Sequence, residues 1–309
     1  MPRADWLAGV AGALRDELLA KHSQFGVGGP ADWFVDVRDA TQFAQLATRC
    51  RDAQLPLTVV GAGSNALIQD GGIRGLVVRM ADRRMGVLDA GRVELAAGCM
   101  LPRVALDCAR RGLAGLEFGI GVPGTLGASV YGNAGAFGSE IKDVLIDCTA
   151  VTADGAELVL SNDECRFSYR HSRFKEDLAG AVVLSARLAV HADDPQAVME
   201  RTKGIQARRK ATQPYGVRSL GSVFKNPPGD TAGRLIEACG LKGLRHGGAQ
   251  ISDKHANFIV NVDAATAADV LALVERAHDA VAERFDVDLE REIIVLGEPA
   301  AVRSAEARA

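Results

Sequence analysis

Between Gly112 and Gly138 glycine falls nine times in 27 residues, in a chain that carries 34 glycines in 309. A run so poor in side chains builds no core by itself. It is suited to bringing backbone close to something, because a residue without a β-carbon tolerates positive φ and lets amide N–H groups approach a ligand. A flexible linker or a set of tight turns would use the same residue. Against the linker stand Leu116, Phe118, Ile120, Val122, Leu126 and Val130, apolar side chains that a solvated connector does not need.

The remainder is ordinary globular material. A length of 309 residues suggests two or three domains, and 48% hydrophobic content is ample for a packed core. A net charge of −3 and a pI near 6.1 give no electrostatic footprint for nucleic acid or an anionic membrane. Small anionic substrates stay open, since Arg208, Arg209 and Lys210 form a basic cluster hidden in the balanced total. The cysteines at 50, 99, 108, 148, 165 and 239 show no CxxC and no paired spacing with histidine. They read as reduced, mostly buried thiols of a cytoplasmic protein, and no metal site is expected. Asp5 and Arg15 interrupt what would be the apolar core of a signal peptide, and no run is long enough to span a bilayer.

Periodicity sketches an α+β chain. Trp6, Leu7, Val10, Leu14, Leu18 and Leu19 predict an opening helix over Asp5–Leu19; Gly26, Gly28, Gly29 and Pro30 break it, and Trp33–Val37 alternates as a strand. A helix over Thr41–Ala53 leads to the strand Leu57–Val60, and hairpins are expected around Ala90-Gly91 and Asp154-Gly155, with a helix over Leu101–Arg111 between them. Ala181–Val190 reads as a strand and 195–210 as a polar helix with Val198 and Ile205 as its larger apolar residues. The composition shifts near residue 200. Beyond it come a helix over Thr231–Ala238 capped by Asp230, strand-like Asn257–Val260, a helix capped by Asp263 with Val270, Leu273, Val274, Ala277 and Val281 on one face, and a strand Val287–Leu296 with Glu290 and Glu292 on one side. The tail after Gly297 is expected to fray.

Gly61-Ala-Gly-Ser-Asn65 follows a strand and matches the loose dinucleotide pattern G-x-G-x-x-G/A, with Asp82 near the place of a ribose-binding acid. A βαβ unit needs a crossover helix directly after the glycines. Only Ala66 to Asp70 intervene before Gly71-Gly72, which leaves no room for one. The Rossmann reading therefore fails, while the physical one survives: a turn of N–H groups with Ser64 and Asn65 beside it is a phosphate cradle.

Four motifs stand in fixed order: GAGSNALIQDGG (61–72), GIGVPGTLGASVYGNAGAFGSEI (119–141), FSYRHSRFK (167–175) and SLGSVFKNP (219–227), with a terminal LEREI. Together they closely resemble the bacterial UDP-N-acetylenolpyruvoylglucosamine reductases, flavoenzymes of peptidoglycan synthesis, from Ser23 to Gly297. The resemblance implies an FAD-binding fold of the vanillyl-alcohol-oxidase type in two subdomains, 1–80 (joined by 291–309) and 81–200, plus an α/β substrate-binding domain over 201–290. It implies non-covalent FAD, with Gly61, Ala62, Gly63, Ser64 and Asn65 on one side and Gly124, Thr125, Gly127, Ala128, Ser129, Asn133 and Ala134 on the other. Ala62, Ala128 and Gly132 stand where the family often has glycine, glycine and methionine. No long insertion follows Tyr169-Arg170, so the chain is similar to the shorter subclass, which lacks an extra tyrosine-bearing loop.

The reaction so implied passes a hydride from NADPH through flavin to C3 of an enolpyruvyl ether, with a proton arriving at C2. The resemblance assigns that proton to Ser222, polarised by a neighbour for which Lys225 is the nearest candidate, and the developing charge on the substrate carboxylate to Arg170, with Glu292 helping if burial keeps it protonated. Tyr169, Lys210, Lys225, Asn226 and His255 are expected to touch substrate. Without the family, Ser222 is equally a turn residue, Arg170 a partner for Glu164 or Asp163, Glu292 a solvated strand residue, and His255 the start of a strand. Two rivals follow: another flavoenzyme on the same scaffold, such as an alcohol oxidase, and a nucleotide-binding module without chemistry. The absence of histidine and cysteine from 61–65 and 119–141 argues against a covalent flavin link. No obligate protein partner is expected.

Overall fold

The computed structural model describes Leu7, residues 9–89 and residues 91–300, and it divides into two compact units. The first comprises the described residues of Met1–Ala13 with Phe34–Ala62 and Leu76–Tyr215; the second comprises Leu14–Trp33, Gly63–Gly75 and the described residues of Gly216–Ala309. The chain thus changes unit after Tyr215, beyond the compositional shift near residue 200.

In the first unit helix α1 (Ala40–Asp52) begins where Asp39 accepts from the Gln42 amide at 2.8 Å, and it turns Phe43, Leu46, Ala47 and Cys50 inward at helical spacing. Strand Leu57–Val60 runs parallel to Ile73–Met80, with Leu57 opposite Leu76 and Val60 opposite Arg79. A five-stranded antiparallel sheet follows, in the order Glu157–Ser161, Leu145–Val151, Val182–Ala189, Arg92–Ala96, Met85–Asp89. Alternation sorts its faces. Val93, Leu95, Cys148, Ala150, Ala186 and Leu188 enter the core, while Arg187 pairs with Asp147 directly opposite on the other face. Helix α2 (Leu101–Arg110) and helix α3 (Leu126–Gly132) belong to this body: α3 lies on the sheet, and α2 packs against helix α4 (Pro195–Thr212). So polar a helix as α4 needs only a small seam, supplied by Val198 against Ala109 and Ala114.

The glycine run is part of this core. It forms a 3-10 turn at Glu117–Gly121, α3, and a hairpin of Gly135–Ala136 with Ser139–Glu140. Leu116, Phe118, Ile120, Val122, Leu126 and Val130 are all buried.

The second unit carries a four-stranded antiparallel sheet, Ser219–Ser222, Phe258–Asn261, Ala249–Ile251, Arg245–His246. Helices α5 (Ala232–Ala238) and α6 (Ala267–Phe285) pack on each other, and Val270, Leu273, Val274, Ala277 and Val281 fill the space between α6 and the sheet. Asp70 accepts from the first-turn amides of Ala267 (2.9 Å) and Ala268 (3.1 Å). Ala66–Ile68 pairs in parallel with Ile294–Leu296.

The α+β expectation holds, and a strand rather than a crossover helix follows residues 61–65. Four local expectations need correcting. Leu14–Leu18 is a strand followed by a 3-10 turn, not a helix; Asp16 adopts φ +51°, and the amides of Leu19 and Ala20 bond to Gly29 and Gly28, so pairing overrides the apolar spacing. Asp5, Trp6 and Ala8 of that predicted helix lie outside the described residues, as do Ala90 of the first hairpin turn and the tail from 301. Thr231, not Asp230, caps α5, because Asp230 pairs with Arg234; Thr266 and Asp269 form a capping box on α6 in place of Asp263. Only Ile294–Leu296 remains of the strand expected over 287–296, since the backbone of Glu290 and Glu292 bonds elsewhere.

Candidate active site

Those other bonds build a site in the second unit. Ser222 ends a strand opposite Phe258, and the register shifts between Ser219 and Ser222, where Gly221 takes φ +78°. This bulge re-aims the residue that follows it. The Val223 amide donates to the Asn257 carbonyl (2.8 Å), while the Val223 carbonyl accepts from Glu292 N (2.8 Å) and Ile293 N (3.3 Å). Asn65 completes the ladder: its side-chain amide donates to Glu292 O at 3.0 Å, and its carbonyl accepts from Ile294 N at 2.9 Å. Glu292, far from both in sequence, is therefore bonded through its amide to Val223, the neighbour of Ser222, and through its carbonyl to the Asn65 side chain. Ser222 and Glu292 are both half-buried. Among the described residues the Ser222 hydroxyl makes no hydrogen bond.

Lys225 does not face a free site. Its amide donates to Glu290 O (2.9 Å) and its ammonium lies 2.5 Å from Glu290 Oε1, so it is already neutralised. Asn226 is exposed and its Oδ1 accepts from Ala232 N at 3.1 Å, capping α5. His255 sits edge-on to Phe258, 4.9 Å between centroids, and its Nδ1 accepts from Asn257 N at 3.3 Å. Burial and then Lys242 depress its pKa, so the ring is neutral; a β-carbon on Gly233 would meet it at 2.8 Å. Its position is that of a packed strand-start residue.

In the first unit Tyr169 and Arg170 form the tip of a tight turn in which Ser168 and His171 exchange backbone bonds of 3.2 and 3.1 Å. Arg170 adopts φ +55°, donates from Nη2 to Gly135 O at 3.2 Å, and holds its guanidinium 5.2 Å from the Tyr169 ring centroid. Lys175 donates to Arg170 O at 2.8 Å. Glu164, one suggested partner, turns to Ser161 instead. Lys210 is exposed on α4, its Nζ 5.0 Å from the Tyr215 ring centroid; beside it burial pulls the Arg209 pKa down.

The expected cofactor residues differ among themselves. No amide of residues 61–65 donates to an acceptor among the described residues. A β-carbon on Gly61 would stand 2.7 Å from Thr125 Oγ1 and 3.2 Å from the Ala128 β-carbon, so Gly61, Thr125 and Ala128 meet as two faces of one narrow wall. Unspent amides beside so close a packing contact are the kind of backbone on which an anion can be held. By contrast the amides of Gly124, Gly127, Ser129, Asn133 and Ala134 are spent on Val122, Ala97, Thr125, Val130 and Ser129. The Ser129 hydroxyl donates back to Thr125 O (2.8 Å), and fully buried Asn133 bonds Glu140 (2.5 Å), Ser168 O (2.9 Å) and Lys142 N (3.0 Å). These side chains hold α3 and the Tyr169–Arg170 turn together. The residue that sequence reading passed over is Asn257, which looks in sequence like one polar position beside an apolar strand; only its burial shows that its amide must be paired.

Among the described residues no helix is long and apolar enough to cross a membrane, and no group of three or more His, Cys, Asp or Glu could hold a metal. Two family models match the chain: an FAD binding domain over residues 31–161 and the C-terminal domain of UDP-N-acetylenolpyruvoylglucosamine reductase over 213–296. Curated reductases of that name are similar over nearly the whole length: one from Symbiobacterium thermophilum is 43% identical, covering 92% of each chain, and one from Moorella thermoacetica is 42% identical, covering 92% of this chain and 93% of its own. The crystal structure of the Thermus caldophilus reductase superposes with a TM-score of 0.78 at 38% identity, covering 91% of this chain and 98% of that one. The chain belongs to the UDP-N-acetylenolpyruvoylglucosamine reductase family.

Proposed function

We propose that the protein reduces UDP-N-acetylenolpyruvoylglucosamine to UDP-N-acetylmuramate at the expense of NADPH, as a step of peptidoglycan-precursor synthesis in the cytoplasm. The observation that carries the reading is the ladder that fixes Ser222 and Glu292 on either side of one peptide, Val223. FAD, when bound, would supply the hydride chemistry that links NADPH to C3 of the enolpyruvyl group. Residues 61–65 with Gly124, Thr125, Gly127 and Ala128 hold that cofactor, and Ser129, Asn133 and Ala134 support them from behind. We assign cofactor binding to 1–80 (with 291–309) and 81–200, and substrate binding to 201–290.

The chain's own residues manage charge and one proton. We assign to Arg170, a planar and permanently charged fork, the negative charge that grows on the substrate carboxylate as hydride arrives, and to Glu292 a supporting role in that step. Ser222 delivers the proton to C2. Its bulge-set backbone and unspent hydroxyl suit that duty, because a donor aimed in advance costs no reorganisation when charge develops. Lys210, Lys225 and Asn226 hold the substrate diphosphate, Lys225 by exchanging the Glu290 carboxylate for phosphate oxygens, and Tyr169, nearly half exposed at 46%, covers the sugar.

The test separates the two half-reactions. In Ser222→Ala, NADPH should bleach the flavin at the normal rate while reoxidation by the enolpyruvyl substrate falls about 1,000-fold, the range set by loss of a positioned acid. Equal rates in both halves would remove Ser222 from the reaction. Fast recolouring by oxygen with none by substrate would identify an oxidase instead.

A further inference from the structure

We infer that Asn257 is a positioning residue for the proton transfer assigned to Ser222, an inference that rests on that assignment. Asn257 is only 3% exposed, yet it spends its polar groups on a single stretch of chain. Its carbonyl accepts from Val223 N (2.8 Å), its Oδ1 accepts from Phe224 N (2.9 Å) and its Nδ2 donates to Phe224 O (2.8 Å). Its own amide is held in turn by His255 Nδ1 (3.3 Å).

The location gives these bonds their meaning. Ordinary strand pairing slips at Gly221, so the ladder that should carry the chain past Ser222 is interrupted there. Directly after the serine, Asn257 replaces the missing ladder by gripping both polar groups of Phe224 with its side chain. Ser222 is thereby fixed between a bulge on one side and a clamp on the other. The same peptide offers its opposite edge to Glu292, since Val223 O accepts from Glu292 N. Displacing Val223 and Phe224 would therefore move the serine relative to the carboxylate. Only a primary amide presents one acceptor and one donor at the spacing of a peptide group; a carboxylate would turn a second acceptor on Phe224 O, and an aliphatic side chain would satisfy neither.

The experiment uses the flavin-loaded enzyme and stopped-flow measurement of both half-reactions in Asn257→Asp, Ser222→Ala and the double variant. Asn257→Asp should leave NADPH-driven bleaching within about 2-fold and slow substrate-driven reoxidation about 30-fold, as expected for a sub-ångström misplacement. In the Ser222→Ala background the same substitution should add less than about 3-fold, because the group it positions is gone. Equal losses in both halves, or a full 30-fold loss added to Ser222→Ala, would overturn the inference and leave Asn257 a general structural residue. If Ser222→Ala slows reoxidation but Asn257→Asp does not, the positioning role alone falls. If Ser222→Ala itself has no effect, the serine assignment is the one that fails, and the positioning role falls with it. Should Asn257→Asp not load flavin, Asn257→Ser, which leaves room for a bridging water at Phe224, carries the same criteria.

Discussion

Two glycine-rich stretches of this chain look alike on paper and differ in what their backbones are free to do. In 112–138 the amides of Gly112, Gly119, Gly124 and Gly127 donate to nearby carbonyls and that of Gly115 to the Glu117 carboxylate, so the stretch is occupied with its own fold. In 61–65 no amide finds an acceptor among the described residues. Glycine density marks close packing of either kind, against protein or against ligand. The bonding of the amides is what tells the two apart.

The largest break in this contrast should come from Gly61→Val. Overpacking against Thr125 and Ala128 costs about 1–3 kcal/mol, equivalent to about 5- to 150-fold in cofactor affinity, so the purified variant should be largely colourless while its far-UV circular dichroism stays unchanged. A fully yellow variant would return 61–65 to the status of a plain turn. Asn133→Ala should do the reverse. Losing its bonds to Glu140, Ser168 and Lys142 leaves buried groups unpaired, for about 3 kcal/mol of stability, read as a lower Tm and denaturant midpoint, with flavin bound stoichiometrically at low temperature. Loss of flavin without loss of stability would show that this side chain serves the cofactor after all. Ser129→Ala should be mildest, about 1 kcal/mol in chemical denaturation with spectrum and activity intact, since only the bond back to Thr125 O disappears.

The motifs were legible because four of them stand in one fixed order along the chain, and helices such as α1 and α6 because Phe43 with Leu46 and Cys50, or Val270 with Val274 and Val281, repeat on one face. The opening segment misled for the same reason. Its leucines have helical spacing, but the amides of Leu19 and Ala20 are claimed by Gly28 and Gly29, a tertiary bond that periodicity does not encode. The caps were misplaced by a residue or a few, since Asp230 and Thr231 are both good candidates until Arg234 is seen to pair with the acid. In the site, residue types were readable but their availability was not. Lys225 looks free in sequence and is tied to Glu290; Asn65 looks like a phosphate ligand and spends its side chain on the Glu292 carbonyl.

That last bond has a consequence for the order in which the enzyme comes into being. Asn65 and Glu292 are separated by 227 positions, and Val223 lies between them. A ribosome has therefore translated residues 61–65 and the strand ending at Ser222 before the segment that bonds to both appears. Until residues 292–296 emerge, Ala66–Ile68 has no parallel neighbour and the Val223 carbonyl no donor from Glu292. Contacts of such sequence separation form late in folding. A nascent chain thus acquires the bonds that hold Asn65 and Val223 only once residues 292–294 have been made.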